Sequence, residues 1–245
     1  MTCRAARFLP LLAVLAGCTG SGTEYFHNGT PQVNMADAAL SGGMPQTALS
    51  VTKAILEKDP RNVAALERQA TASVQLNQPA AAIAAYQQAL SIDPNASAVL
   101  LGLGRLELSR GNAGSAEQHF EKLLESTPND PVALNNLGVA LDLQGRHDAA
   151  QGAYSTVLAL APNNRGAAVN LGLSLSLSGQ AGRSVEMLRG PASQPDATPR
   201  IRQDLAVALA LSGNTHEANQ VLLADLSPGD AAAALAAYGA LNATK

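Results

Sequence analysis

The chain has 245 residues, 14% of them charged, with a formal charge of −3, 3% aromatics and no tryptophan. It carries no basic patch of the kind a nucleic-acid binder needs, and its wealth of Ala and Leu with few β-branched residues favours packed helices over sheets. The only cysteines, Cys3 and Cys18, lie near the N-terminus, so no disulfide, cysteine metal site or thiol nucleophile is expected downstream.

The first element is a targeting segment. Arg4 and Arg7 flank the start of "FLPLLAVLAG", a run of about ten apolar residues, the length of a secretory core and too short to span a bilayer. Leu15-Ala16-Gly17-Cys18 follows at once and resembles the bacterial lipobox, in which the peptide is cut between Gly17 and Cys18 and the thiol takes a diacylglyceryl group. The alternative is an ordinary signal peptide cut elsewhere, with Cys18 incidental. On the lipobox reading, residues 1–17 are the signal peptide and 18–28 a lipidated tether, polar and Gly-rich in "TGSGTEYFHNGT". Two or more acyl chains anchor stably where one is marginal. Thr19 stands where many lipoproteins kept at the inner membrane have Asp, so the resemblance points to the outer membrane, facing the periplasm.

From residue 29 the chain repeats itself every 34 residues, with repeats starting at 29, 63, 97, 131, 165 and 199. Column 8 reads Ala36, Ala70, Gly104, Gly138, Gly172, Ala206, and column 20 reads Ala48, Ala82, Ala116, Ala150, Ser184, Ala218. Small residues at both columns let two antiparallel helices approach closely. Column 15 holds Gly43, Asn77, Gly111, Gly145, Gly179 and Gly213, types that tolerate the positive φ needed where a first helix ends and the chain reverses. Pro60, Pro94, Pro128 and Pro162 keep the same spacing and end the second helices. Tyr86, Phe120, Tyr154, Leu188 and Leu222 at column 24 join Leu56, Leu90, Leu124, Leu158 and Leu226 at column 28 in one apolar stripe, with the rings as core knobs.

Three irregularities stand out. Gln32 and Thr52 replace apolar residues, so the first repeat is expected to be the loosest. Pro191 and Pro195 in "GPASQPDATP" are expected to stop the fifth repeat's second helix early and turn its end into a loop. Residues 229–245 read as a closing helix with Asp230 as N-cap, covering the last apolar face.

A 34-residue unit of two helices resembles the tetratricopeptide repeat. The likeness is fullest in "ALNNLGVALDLQGRHDAAQGAYSTVLALAP", residues 133–162. It implies an all-α, right-handed superhelical solenoid of about six helix pairs over 29–228, plus the C-terminal capping helix. In that family the first helices line a concave groove through columns 2, 5, 9, 12 and 13. Here those columns are apolar in repeats four to six, with Val132, Val139, Leu143, Val169, Leu173, Leu177, Val207 and Leu211. Earlier repeats are more polar, with Glu67, Thr71, Gln75, Arg105 and Ser109. A contiguous apolar strip marks a binding surface for an amphipathic helix or extended peptide. The rival arrangement has the closing helix folded back into the strip. Asn136 and Asn170 at column 6 either bond a partner's backbone or merely follow the family pattern. The lysines with which some members clamp a partner's carboxylate are absent.

No catalytic, cofactor-binding or metal residue is expected. His27, His119, His147 and His216 are scattered, and "HEAN" at His216 lacks the second histidine of a zinc helix. Neither GxSxG nor a phosphate loop is present. Glu67 and Asp142 read as single solvated charges on the groove. Lipobox, short tether and repeats together resemble the TadD family of Flp, or tight-adherence, pilus assembly. That resemblance implies a lipid-anchored, pilotin-like scaffold of the bacterial envelope, partnering a secretin or other pilus-assembly components. The alternatives are an adaptor lipoprotein for outer-membrane biogenesis or peptidoglycan hydrolases and, further off, an envelope hydrolase.

Overall fold

The computed structural model describes residues 31–242, with side chains from 31 to 239. The readings on Gly17, Cys18 and His27, and with them cleavage and lipidation, fall outside the described residues. Among the described residues there are thirteen helices and no strand. Twelve form six pairs: α1 (Pro31–Ser41) with α2 (Pro45–Lys58), α3 (Val63–Gln75) with α4 (Pro79–Ile92), and α5 (Ser97–Ser109) with α6 (Ala113–Ser126). The remaining pairs are α7 (Pro131–Leu143) with α8 (His147–Leu160), α9 (Arg165–Leu177) with α10 (Ala181–Ser193), and α11 (Pro199–Leu211) with α12 (Thr215–Leu222). A single helix, α13 (Pro228–Asn242), follows.

Every pair turns on one hydrogen-bond pattern. The column-16 N–H donates to the column-11 carbonyl, as from Arg146 to Leu141 at 2.9 Å and from Gln180 to Leu175 at 2.8 Å. That bond closes only if the residue between the helices takes the left-handed conformation. Column 15 does so: φ is 55° at Asn77 and 74° at Gly145.

The proline column does more than end a helix. Asp130 N–H donates to the Thr127 carbonyl at 3.1 Å and Asn164 to Ala161 at 2.9 Å, which places Pro128 and Pro162 second in a tight turn, where a fixed φ is favoured. In three of the four turns through Pro60, Pro94, Pro128 and Pro162 the last residue then caps the next helix; after Pro94 it is Ala96, which has no polar side chain to do so. Asn62 and Asn164 accept the N–H groups of Ala65 and Ala167 at 2.9 and 3.0 Å, and Asp130 accepts those of Val132 and Ala133 at 2.8 and 2.9 Å.

Three local expectations are corrected. Pro191 does not stop α10; it lies inside the helix, which runs on to Ser193, one residue short of the columns other second helices reach. Pro195 makes the usual turn one residue early, with Ala197 N–H on the Gln194 carbonyl at 3.0 Å, and Thr198 becomes the cap of α11. The short helix is instead α12, eight residues long. Leu226 therefore lies beyond it in the turn before α13, still packed on the terminal core. Arg202 holds that turn with two bonds of 2.6 Å to Asp225 and ties it to the Ala197 carbonyl at 2.6 Å. Finally, Asp230 is not the N-cap of α13. Ser227 Oγ accepts the Asp230 N–H at 3.3 Å and donates to Asp230 Oδ2 at 2.7 Å, so the cap is Ser227 and the acid answers it from the first turn.

Small residues at column 8 serve as notches for the column-24 side chain of the same pair. A methyl on Gly104 would lie 2.5 Å from the Phe120 ring, on Gly138 2.5 Å from the Tyr154 ring, and on Gly172 2.5 Å from Leu188. Phe120 and Leu188 are 0% exposed and Tyr154 1%. The cluster at the first pair is thin: its buried members are Ala39, Ala48 and, from α3, Ala72, with Val33 and Ala36 of α1 also buried. Thr52 is buried there, with its hydroxyl on the Ala48 carbonyl at 2.9 Å.

Neighbouring first helices pack backbone to backbone (α1 on α3, α3 on α5, and so on to α11), whereas second helices stand further apart and reach one another only through side chains, as Arg189 of α10 does to Glu217 of α12. The ribbon therefore curves with its first helices inward. α13 packs on α11 and α12 alone, in the place of a seventh first helix, and does not fold back along the inner face.

Notch and knob make opposite forecasts for two glycines on adjacent helices. Gly138→Ala should lower unfolding stability in urea by about 1–2 kcal/mol, overpacking outweighing the better helix propensity. Gly152→Ala, where a methyl meets nothing within 4 Å in exposed α8, should raise it by up to about 1 kcal/mol.

Candidate protein-binding face

The inner face changes character along its length. At the N-terminal end Asp37, Leu40, Ser41, Glu67, Thr71 and Gln75, five of the six polar, line a recess of about 220 Å³ between α1 and α3. Arg105 of α5 is exposed beyond it. From α7 onward the wall is apolar: Val132, Leu143, Val169, Leu173, Val207 and Leu211 are half-buried, and Leu177 is 58% exposed. Val139 is not part of the open wall. At 4% exposure it belongs to the core with Tyr154, Leu171 and Leu175, because adjacent first helices close over it.

The asparagines of column 6 are engaged within the chain. Asn136 is buried and its amide donates to the Val132 carbonyl at 2.7 Å, and the Asn170 amide donates to Asn135 Oδ1 at 3.0 Å, bridging α7 and α9.

Glu67 and Asp142 are not solvated charges; both are wired into the scaffold. Arg68, 8% exposed, bonds Asp37 of the preceding repeat through Nε and Nη2 at 2.9 and 3.3 Å, and Glu67 through Nη1 at 2.9 Å. Thr71 donates to Glu67 at 3.0 Å. Burial raises the Glu67 carboxyl above its ordinary range, with Arg68 pulling the other way. Tyr86, whose phenol lies 3.4 Å from Thr71 Oγ1, is pushed up to about 12 by burial.

Asp142 gathers three helices. It accepts from the Tyr154 hydroxyl at 3.0 Å and the Ser174 hydroxyl at 2.7 Å, and meets His147 Nδ1 at 2.8 Å. An Asp, a His and a Ser thus lie together, but Ser174 is 0% exposed and donates to the carboxylate rather than to the imidazole. The bond between nucleophile and base on which such triads depend is missing. The cluster locks α7, α8 and α9 in register. Of the other histidines, His119 is half-buried, which lowers its pKa, and His216 is exposed beside Gln220. Among the described residues no group of His, Cys, Asp and Glu could hold a metal ion, and no helix is long and apolar enough to cross a membrane.

Three matches to family models for the tetratricopeptide repeat fall on this frame, at residues 33–97, 73–137 and 131–164. Together they run without a gap from 33 to 164, more than half of the chain. The chain is a tetratricopeptide-repeat protein. No curated protein sequence matches it. Among solved structures, this repeat protein is similar to PilW, described as a widely conserved type IV pilus biogenesis factor, with a TM-score of 0.72 at 22% identity over 79% of this chain and 91% of that one. Pseudomonas aeruginosa PilF gives 0.69 at 17% identity over 78% and 88%. YrrB, described as having an unusual peptide-binding site, gives 0.58 at 19% over 69% and 88%. At such identities the likeness is one of fold.

Asp142→Ala removes the carboxylate that accepts from both the Tyr154 and Ser174 hydroxyls. A loss of about 2–3 kcal/mol in urea unfolding is expected. A loss below 0.5 kcal/mol, about what an exposed site gives, would show that the cluster does not lock the helices.

Proposed function

We propose that this repeat protein is a lipid-anchored, non-catalytic scaffold of the bacterial envelope, set in the outer membrane through acyl chains on Cys18, that assists assembly of a Flp/Tad-type pilus secretion apparatus. The observation that carries the binding role is the inner wall: Leu177 is 58% exposed among half-buried Leu143, Leu173, Val207 and Leu211, on a face that α13 leaves open. Solvent-facing apolar rungs on successive rigid helices suit the apolar side of a partner helix or strand, since each rung covered gains about 25 cal/mol per Å². The rungs are held by the buried Asn and Asp bonds behind them, so little ordering remains to be done on binding. "LAGC" at residues 15–18 supports the anchor. The fold shared with PilW supports the pilus setting, and that shared with YrrB supports peptide capture.

Two measurements bear on separate parts of the proposal. In cells grown with labelled fatty acid, the wild-type chain should carry label and sediment with membranes, and Cys18→Ser should lose both properties. Label retained on Cys18→Ser would overturn the anchor. Leu173→Glu with Leu177→Glu should cut crosslinking to envelope partners at least tenfold while the helical circular dichroism stays unchanged. Undiminished capture would reject the inner wall. Peptidoglycan hydrolases recovered in place of secretin or pilus components would reject the pilus role.

A further inference from the structure

The last pair buries an acid with one oxygen cut off from any donor. Asp204 stands at column 6 of α11, 7% exposed, and its Oδ2 has no hydrogen-bond partner. The same column of α7 and α9 holds Asn136 and Asn170, whose amides are bonded. Against α11 and α12 lies α13, and its grip is slight. Ala231 is its one fully buried side chain among the described residues, with Ala234, Leu235 and Tyr238 half-buried and Ala232, Ala233, Ala236 and Ala237 exposed. The Tyr238 phenol feels the Asp204 charge, which with burial raises its pKa.

We propose that the closing helix is a pH-dependent clasp: α13 is held against the last pair while Asp204 is protonated and loosens when Asp204 ionises. A neutral carboxyl on α11, against which α13 packs, costs little, whereas an ionised one leaves Oδ2 buried with no donor. The charged groups around it do not replace them. Arg200 on α11 lowers the Asp204 pKa only in part, and Tyr238 of α13 is near enough to feel its charge. On the other elements packed against α11, Arg165 of α9 pairs with Asp196, Arg189 of α10 with Glu217 of α12, Arg183 of α10 with Gln180, and His216 of α12 with Gln220. Glu186 of α10 is exposed, as is Asp230 of α13, which bonds Ser227.

Burial raises the Asp204 pKa from 3.8 to about 6. A raised acid pKa in the docked state means that docking takes up a proton, so the clasp is tightest in acid, weakens as pH rises toward about 6 and stays weak above it. Across that span the docking equilibrium falls by about ten- to a hundredfold. Release exposes part of the terminal core, which Ala231 enters and on which Ala234, Leu235 and Tyr238 pack, as a fresh apolar surface.

Hydrogen exchange of the full chain, corrected for intrinsic rates, tests the clasp. Protection of the α13 amides should fall about tenfold from pH 5 to pH 7.5 while that of α4, which carries no acid or histidine, stays constant. Asp204→Asn and Asp204→Leu should each keep α13 protection the same at both pH values, with helical circular dichroism intact. Equal protection of wild-type α13 at the two pH values, or an undiminished pH effect in both variants, would overturn the proposal.

Discussion

A bulky side chain from column 24 seated in the notch of a small column-8 residue is the contact on which each helix pair depends. It fixes how close the two helices stand, and that distance sets the width of one repeat. Where the notch is a glycine, as at Gly104, Gly138 and Gly172, the ring or leucine fills the space a methyl would need. The left-handed residue at column 15 and the proline turn between pairs then deliver the next knob to the next notch. A solenoid of this kind has no single centre; its stability is a chain of neighbour terms, each of which can be thin or thick.

Curvature follows from the same geometry. First helices pack backbone to backbone across repeats and second helices do not, so one set of columns faces inward. That face has a polar end, with Asp37, Glu67 and Arg68 interlocked, and an apolar end, with Leu177 foremost. The polar groups near the wall are largely spent within the scaffold: the bonds at Asn170 and Asp142 cross from one repeat to the next. What the wall offers a partner is therefore chiefly shape and apolar area, with specificity set by the spacing of rungs on successive helices.

The repeat period, the pairing and the reversal column were legible in the sequence because each depends on a local property, smallness or tolerance of positive φ, that returns every 34 residues. What was not legible depends on neighbours. Pro191 can stay in α10 because it forfeits only one backbone bond near a helix end, a cost packing can cover. Glu67 and Asp142 read as surface charges because what holds them is set by other repeats: Arg68, which pairs with Glu67, is buried against Asp37 of α1, and Tyr154 and Ser174 reach Asp142 from α8 and α9. Val139 shares its column with Leu173 and Val207 but is covered by the helices around it. The N-caps at Asn62, Asp130, Asn164 and Thr198 carried a readable signal, an Asn, Asp or Thr two residues or more after the turn proline and just before each first helix. Ser227 and Asp230 form a similar signal shifted by the shortening of α12.

Site-specific photocrosslinking in living cells tests most directly whether the inner wall is the working surface. A photoreactive residue would be placed at Leu177, exposed on a first helix, or at Leu160, 49% exposed at the end of a second helix. A discrete adduct with an envelope protein from position 177 and none from position 160 is the predicted result. Adducts from position 160 with silence at 177 would contradict the account, because the partner would then be gripping the outside of the curve.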